Sequence, residues 1–187
     1  MSDLLTHVLA AFVVATVASW YLPWLARRHV SLATAGAVLP DLAKGYLLAG
    51  DAQVTVAGVT GSWFALQTVG VVACVVVAGA MLVEQAERRA ALVALLGGAS
   101  LHVAMDYLVI RAGGVSPPYL YPLTWAELPS LDVYLSSSLW PSLVAVPVAL
   151  VVWYVDRHGM APGPGSAGAR TDDAADSLDA ADGDRAN

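Results

Sequence analysis

Charge is the first scarcity. Only 13% of the 187 residues are Asp, Glu, Lys or Arg, while 58% are hydrophobic. A soluble domain of this size carries about twice that charged share, and the mean hydropathy of +0.65 points the same way. Cysteine is nearly absent. Cys74 stands alone in an apolar run, which excludes an internal disulfide and leaves it a small core or lipid-facing residue. Lys44 is the single lysine against eight arginines, and no basic stripe is interleaved with aromatics, so nucleic-acid binding has no support. No Walker motif, serine nucleophile elbow or Cys-x-x-Cys occurs.

The net charge of −6 belongs largely to one end. Asp172, Asp173, Asp176, Asp179, Asp182 and Asp184 all lie in the last 16 residues, and the rest is close to neutral. The tail, 159–187, is Gly-, Pro-, Ala- and Asp-rich and cannot bury enough apolar surface to fold, so disorder is expected there. Many arginines, one lysine and an acidic tail form a composition like that of halophilic or GC-rich sources. The first residues lack a basic region and include Asp3, so the first apolar run reads as a retained helix rather than a cleaved signal.

What is present is long apolar segments. Five approach the roughly 17–25 residues that span a bilayer: Leu4–Leu25, Val30–Ala49, Trp63–Val83, Ala90–Ile110 and Leu139–Val155. The second is interrupted by Pro40, Asp41 and Lys44, and the fifth holds Pro141 and Pro147, which predict a kink. The expected fold is therefore all-α: an integral membrane bundle of about five transmembrane helices over residues 1–158. Arg111–Ser138, rich in Pro, Ser and aromatics, reads as an ordered loop or re-entrant cap.

Arg27, Arg28 and His29 follow the first segment, Arg88 and Arg89 separate the third from the fourth, and Arg157 follows the fifth. With five spans these clusters share one side, which the positive-inside rule makes cytoplasmic. The expectation is a multi-pass cell-membrane protein with its N-terminus outside and its tail in the cytoplasm. Trp20, Tyr21, Trp24, Trp63, Trp140 and Trp153 fall at segment ends, as belt aromatics do.

Ionisable residues inside spanning segments are costly and face a bundle interior or a cavity. Here they are His7, Asp41, Lys44, His102 and Asp106. Four residues separate His102 from Asp106, so the two share a helix face and can ligate one ion, or the carboxylate can orient the imidazole. A hydrogen-bonded pair that joins helices is the plainer alternative. Asp41 can pair with Lys44 on one face, and His7 can be a wetted interfacial residue. At ~1.5 Å rise per residue, His7, Asp41, His102 and Asp106 all come within about 15 Å of the outer boundary. They are the candidate site.

Thr6-His7, then Leu39-Pro40-Asp41-Leu42, then His102-Val103-Ala104-Met105-Asp106-Tyr107 and Tyr121-Pro122, in this order and spacing, resemble the YdjM-like family. Those proteins are described as LexA-binding, inner membrane-associated metal-dependent hydrolases. The resemblance covers about Met1 to Trp125. It implies that His7, Asp41, His102 and Asp106 ligate a divalent metal, zinc or manganese, and that the substrate is a lipid or phosphoester at the outer membrane face. A looser likeness to zinc-dependent phospholipase C-like enzymes also suggests phosphoester chemistry. Two positions depart from the family pattern: Ala43 replaces its second Asp, and Gly61 replaces the histidine of its Gly-x-Thr-His-Ser. The alternatives are a non-catalytic binding or assembly protein with a decayed site and, against the lack of an internal repeat, a small transporter.

Overall fold

The computed structural model describes residues 2–45, 54–56, 59–61, 67–111, 113–124 and 126–162. The acidic tail and the remainder of the second and third apolar segments lie outside the described residues. Five α-helices are present among those described: α1 (Ser2–Tyr21), α2 (Arg28–Val38), α3 (Val69–Met81), α4 (Arg88–Asp106) and α5 (Trp140–Arg157). A small antiparallel hairpin, β1 (Val54–Val56) with β2 (Val59–Gly61), pairs Thr55 with Thr60; the hydropathy pattern gave no sign of it.

Two helices are long and apolar enough to cross a membrane, Leu4–Tyr21 within α1 and Arg88–Asp106; α3 is apolar but shorter. The second predicted span stops early as an α-helix for a local reason. Pro40 removes a backbone donor and disfavours helix at the residue before it. The chain tightens instead into a 3₁₀ turn, Leu39–Gly45, beginning where the Leu39 N–H bonds to Gly36 O. Asp41 is thereby carried on a turn rather than on a helix. In α5 the helix runs through Pro147 without a break in its assignment.

Helix α4 is the centre of the bundle, packed on α2 most extensively and also on α1 and α3; α1 packs in turn on α2 and α5. The α2–α4 seam is built from small residues: Ala33, Gly36 and Ala37 against Ala91, Ala94, Leu95 and Gly98. A Cβ on Gly98 would collide with the Ala33 carbonyl oxygen, and one on Gly36 with that of Leu95. Backbones this close gain packing and short-range contacts that need no water-driven hydrophobic effect, the usual device of helices packed in lipid. The outer surface is apolar to match. Leu143, Val144, Leu150, Val151, Trp153 and Tyr154 of α5 are exposed, as are Val75, Val77 and Met81 of α3.

One end of the bundle gathers the basic residues. The Arg27 guanidinium bonds to the Asp156 carbonyl (2.8 Å) and lies 3.0 Å from its carboxylate, which also accepts from Trp20 Nε1 (3.0 Å). Arg28 and His29 both engage Glu87, the latter at 2.6 Å. These hydrogen bonds, Arg28's first and then His29's, hold the Glu87 carboxyl below the usual carboxylate range. The turns after α1 and α3 and the end of α5 are therefore tied together at this end.

At the other end the long connection from α4 to α5 is ordered, as expected. It bridges Val109 to Tyr134 and Val115 to Pro129 and folds back over the start of α3, where Val69 and Gly70 donate to the Tyr119 and Tyr121 carbonyls (2.7 and 2.9 Å).

Candidate metal centre

Two helices and the 3₁₀ turn deliver polar side chains to this capped end. His7 lies two turns into α1; His102 and Asp106 are one turn apart on the last part of α4. His7 and His102 have no exposed surface, and Asp106 is 5% exposed. Their ligand atoms, one from each residue, all lie within 4.8 Å of one another, so the group could hold a metal ion. The two imidazoles stack, with centroids 4.1 Å apart and planes at 26°.

The separations identify the kind of interaction. His7 Nε2 stands 3.5 Å from Asp106 Oδ1, and His102 Nε2 stands 3.7 Å from Asp106 Oδ2 and 3.5 Å from Asp41 Oδ1. A direct N–H···O bond spans about 2.7–3.2 Å. Donors bound at 2.0–2.2 Å to one tetrahedral ion are about 3.3–3.6 Å apart. The two 3.5 Å separations fall in that range and the 3.7 Å one just beyond it, so the group is spaced for an ion as well as for loose ion pairing.

Tautomer chemistry reinforces the point. His102 Nδ1 lies 2.6 Å from the Ala37 carbonyl oxygen, which can only accept, so Nδ1–H is the donor. Its Nε2 stands between two carboxylates, Asp41 and Asp106, at distances longer than a direct hydrogen bond. Two buried carboxylates around one imidazole call for positive charge between them, which a bound ion or the protonated ring supplies. The Ala37 bond is also the outer partner that metal-bound histidines characteristically have.

Asp41 enters from the 3₁₀ turn. It is buried, and it is not one of the three mutually close donors; it reaches the group through His102. Lys44 Nζ lies 2.6 Å from Asp41 Oδ1 and is itself partly exposed. The Asp41–Lys44 pairing and the approach to His102 thus coexist, where the sequence left them as alternatives. Gly61 lies in β2, and Ala43 lies on the 3₁₀ turn.

Two participants were not read as such from the sequence. Tyr119 is 1% exposed and donates to Asp106 Oδ2 at 2.9 Å. Arg111 Nη2 donates to the Tyr119 oxygen at 2.8 Å and lies 3.8 Å from Asp106 Oδ2. Burial, followed by the charge of Asp106, pushes the Tyr119 hydroxyl far above its ordinary range, so it stays a donor. Its position in a loop rich in proline and aromatics was the one signal available in the sequence. Tyr119→Phe is expected to weaken metal binding by about 10-fold, the lower range for loss of an outer-sphere partner. Competition titration against a chelating dye measures this, and an unchanged affinity would remove Tyr119 from the centre.

The chain is thus a helical bundle with two membrane-capable helices and a buried His-His-Asp group able to hold a metal ion. No family model matches it, and neither a curated protein nor a solved structure shows significant similarity.

Proposed function

We propose that this chain is a membrane-embedded, metal-dependent hydrolase of the YdjM-like kind, acting on a lipid or phosphoester at the membrane surface. The observation that carries the reading is the buried His7, His102 and Asp106 group, whose ligand atoms all lie within 4.8 Å of one another. His7, His102 and Asp106 hold the ion, zinc or manganese, with Asp41 beside them. A bound ion of this kind lowers the pKa of a water to near neutrality and so supplies the nucleophile. Three protein ligands leave a fourth position open, the pattern of catalytic rather than structural sites. Lys44 and Arg111, on either side of the group, supply positive charge for an anionic phosphoester.

The apolar outer faces of α3 and α5 support the multi-pass reading, with five spans, the metal centre toward the outside and the arginine-rich end in the cytoplasm. A second reading, a non-catalytic binding or assembly protein with a structural ion, draws on the full burial of both histidines and the Asp41–Lys44 pair.

Metal content of the detergent-purified protein tests the centre. Near-stoichiometric zinc or manganese, lost in both His102→Ala and Asp106→Ala, is the expected result and warrants a hydrolase screen on phospholipid analogues. Folded protein without metal in all three would end the proposal.

A further inference from the structure

The two carboxylates of the centre are not equivalent. Asp106 is tied on its inner side by Tyr119, which is itself tied by Arg111, and it belongs to the three mutually close donors. Asp41 has neither property. Its Oδ2 is buried without a hydrogen bond, while Oδ1 is held by the Lys44 ammonium at 2.6 Å. Two donors bound to one ion at about 2.1 Å cannot stand more than about 4.2 Å apart even on opposite sides of it. Asp41 is left out of the cluster whose ligand atoms all lie within 4.8 Å, while still 3.5 Å from His102 Nε2. It also lies toward the open edge: Leu42 is 51% exposed, and Lys44 is partly exposed, whereas Tyr119 closes the Asp106 side.

From this asymmetry we infer that Asp41 is the proton acceptor for the attacking water, not a fourth metal ligand. The inference rests on the proposed metal centre and assigns a role within it. A general base needs a free basic oxygen within reach of the water, and Asp41 offers one. Its Oδ2 is without a hydrogen bond and next to the group that would hold the ion, while Lys44 sits on Oδ1 and leads toward solvent. For a phosphoester, the water oxygen forms its bond to phosphorus as one water proton passes to Asp41 Oδ2. The bond from phosphorus to the leaving oxygen breaks, the leaving alkoxide takes a proton from bulk water at the Lys44 edge, and Asp41 returns its proton to solvent. Lys44, beside Oδ1, offsets the carboxylate charge and faces the charged substrate.

The decisive variant is Asp41→Asn, which keeps shape and removes the basic oxygen; Asp41→Ser serves if the amide disturbs packing. The full-length protein is purified in detergent, assayed for zinc, and loaded with cobalt so that its visible spectrum can be titrated with pH. The expected result is retained metal, with affinity lower by no more than about 10- to 100-fold, and cobalt bands of wild-type intensity whose pH-dependent transition is displaced. Metal lost from Asp41→Asn as completely as from His102→Ala would make Asp41 a ligand and overturn the inference. Metal retained with an unmoved transition would also overturn it, since Asp41 would then not touch the water. Wild-type protein that takes up neither zinc nor cobalt would instead bring down the metal centre itself, and this assignment with it.

Discussion

Gly98→Ala is expected to lower the thermal midpoint in detergent by roughly 6–12 °C, while Gly97→Ala, one residue away, leaves it unchanged or raises it slightly. The contrast comes from what each new methyl meets. At Gly98 it runs into the Ala33 carbonyl and stands 2.9 Å from the Ala37 nitrogen; at Gly97 nothing lies within 4 Å. The obstacles at Gly98 are backbone atoms, so no rotamer change relieves them and α2 must move off α4. Overpacking of this kind costs about 3 kcal/mol, the upper part of the usual range, whereas Gly97→Ala gains up to about 1 kcal/mol of helix propensity. The displaced helix carries Ala37, whose carbonyl holds His102, and leads directly into Asp41. Gly98→Ala is therefore expected to lose metal affinity along with stability, read by thermal unfolding and metal content on the same sample. Equal midpoints for the two variants would refute the close α2–α4 seam.

Much of the centre was legible because a helix makes spacing into geometry. His102 and Asp106, four apart, share a face of α4 by helical periodicity alone, and His7 reaches them because α1 packs on α4. Asp41 was legible as a neighbour but not in its role. Its direction depends on the 3₁₀ turn after Pro40, and hydropathy treats that turn as more helix. The same blindness lengthened the second apolar segment, in which α2 ends at Val38. Tyr119 was the largest miss. It lies thirteen residues beyond Asp106 in an irregular loop, and no periodicity relates the two. The seam itself was half visible. Gly97-Gly98 reads as helix packing, but only the structure shows that Gly98 faces α2 and Gly97 does not.

Removing the metal is expected to cost the wild-type protein about 4 kcal/mol of stability and nothing to His102→Ala. A ligand bound to the folded state alone stabilises it by RT ln(1 + [L]/Kd), about 4 kcal/mol when present at a thousand times Kd. For a chain of this length that is a fall of roughly 8–16 °C in thermal midpoint on chelation. The electrostatics point the same way. Without a bound ion, Asp106 and Asp41 both face His102 in a buried site, with Lys44 and Arg111 offsetting charge at its edges. A buried ion group that loses one partner typically costs about 3–5 kcal/mol. His102→Ala should begin near the chelated wild-type midpoint and stay there when chelator is added, because it has no ion to lose. Asp41→Asn separates the two roles proposed for the carboxylates. If Asp106 is the ligand and Asp41 the proton acceptor, Asp41→Asn keeps most of the chelator-sensitive step and Asp106→Ala loses it. A wild-type midpoint that does not move when bound metal is stripped would mean that the ion is not coupled to the fold, and the case for a metal at the His-His-Asp group would fail.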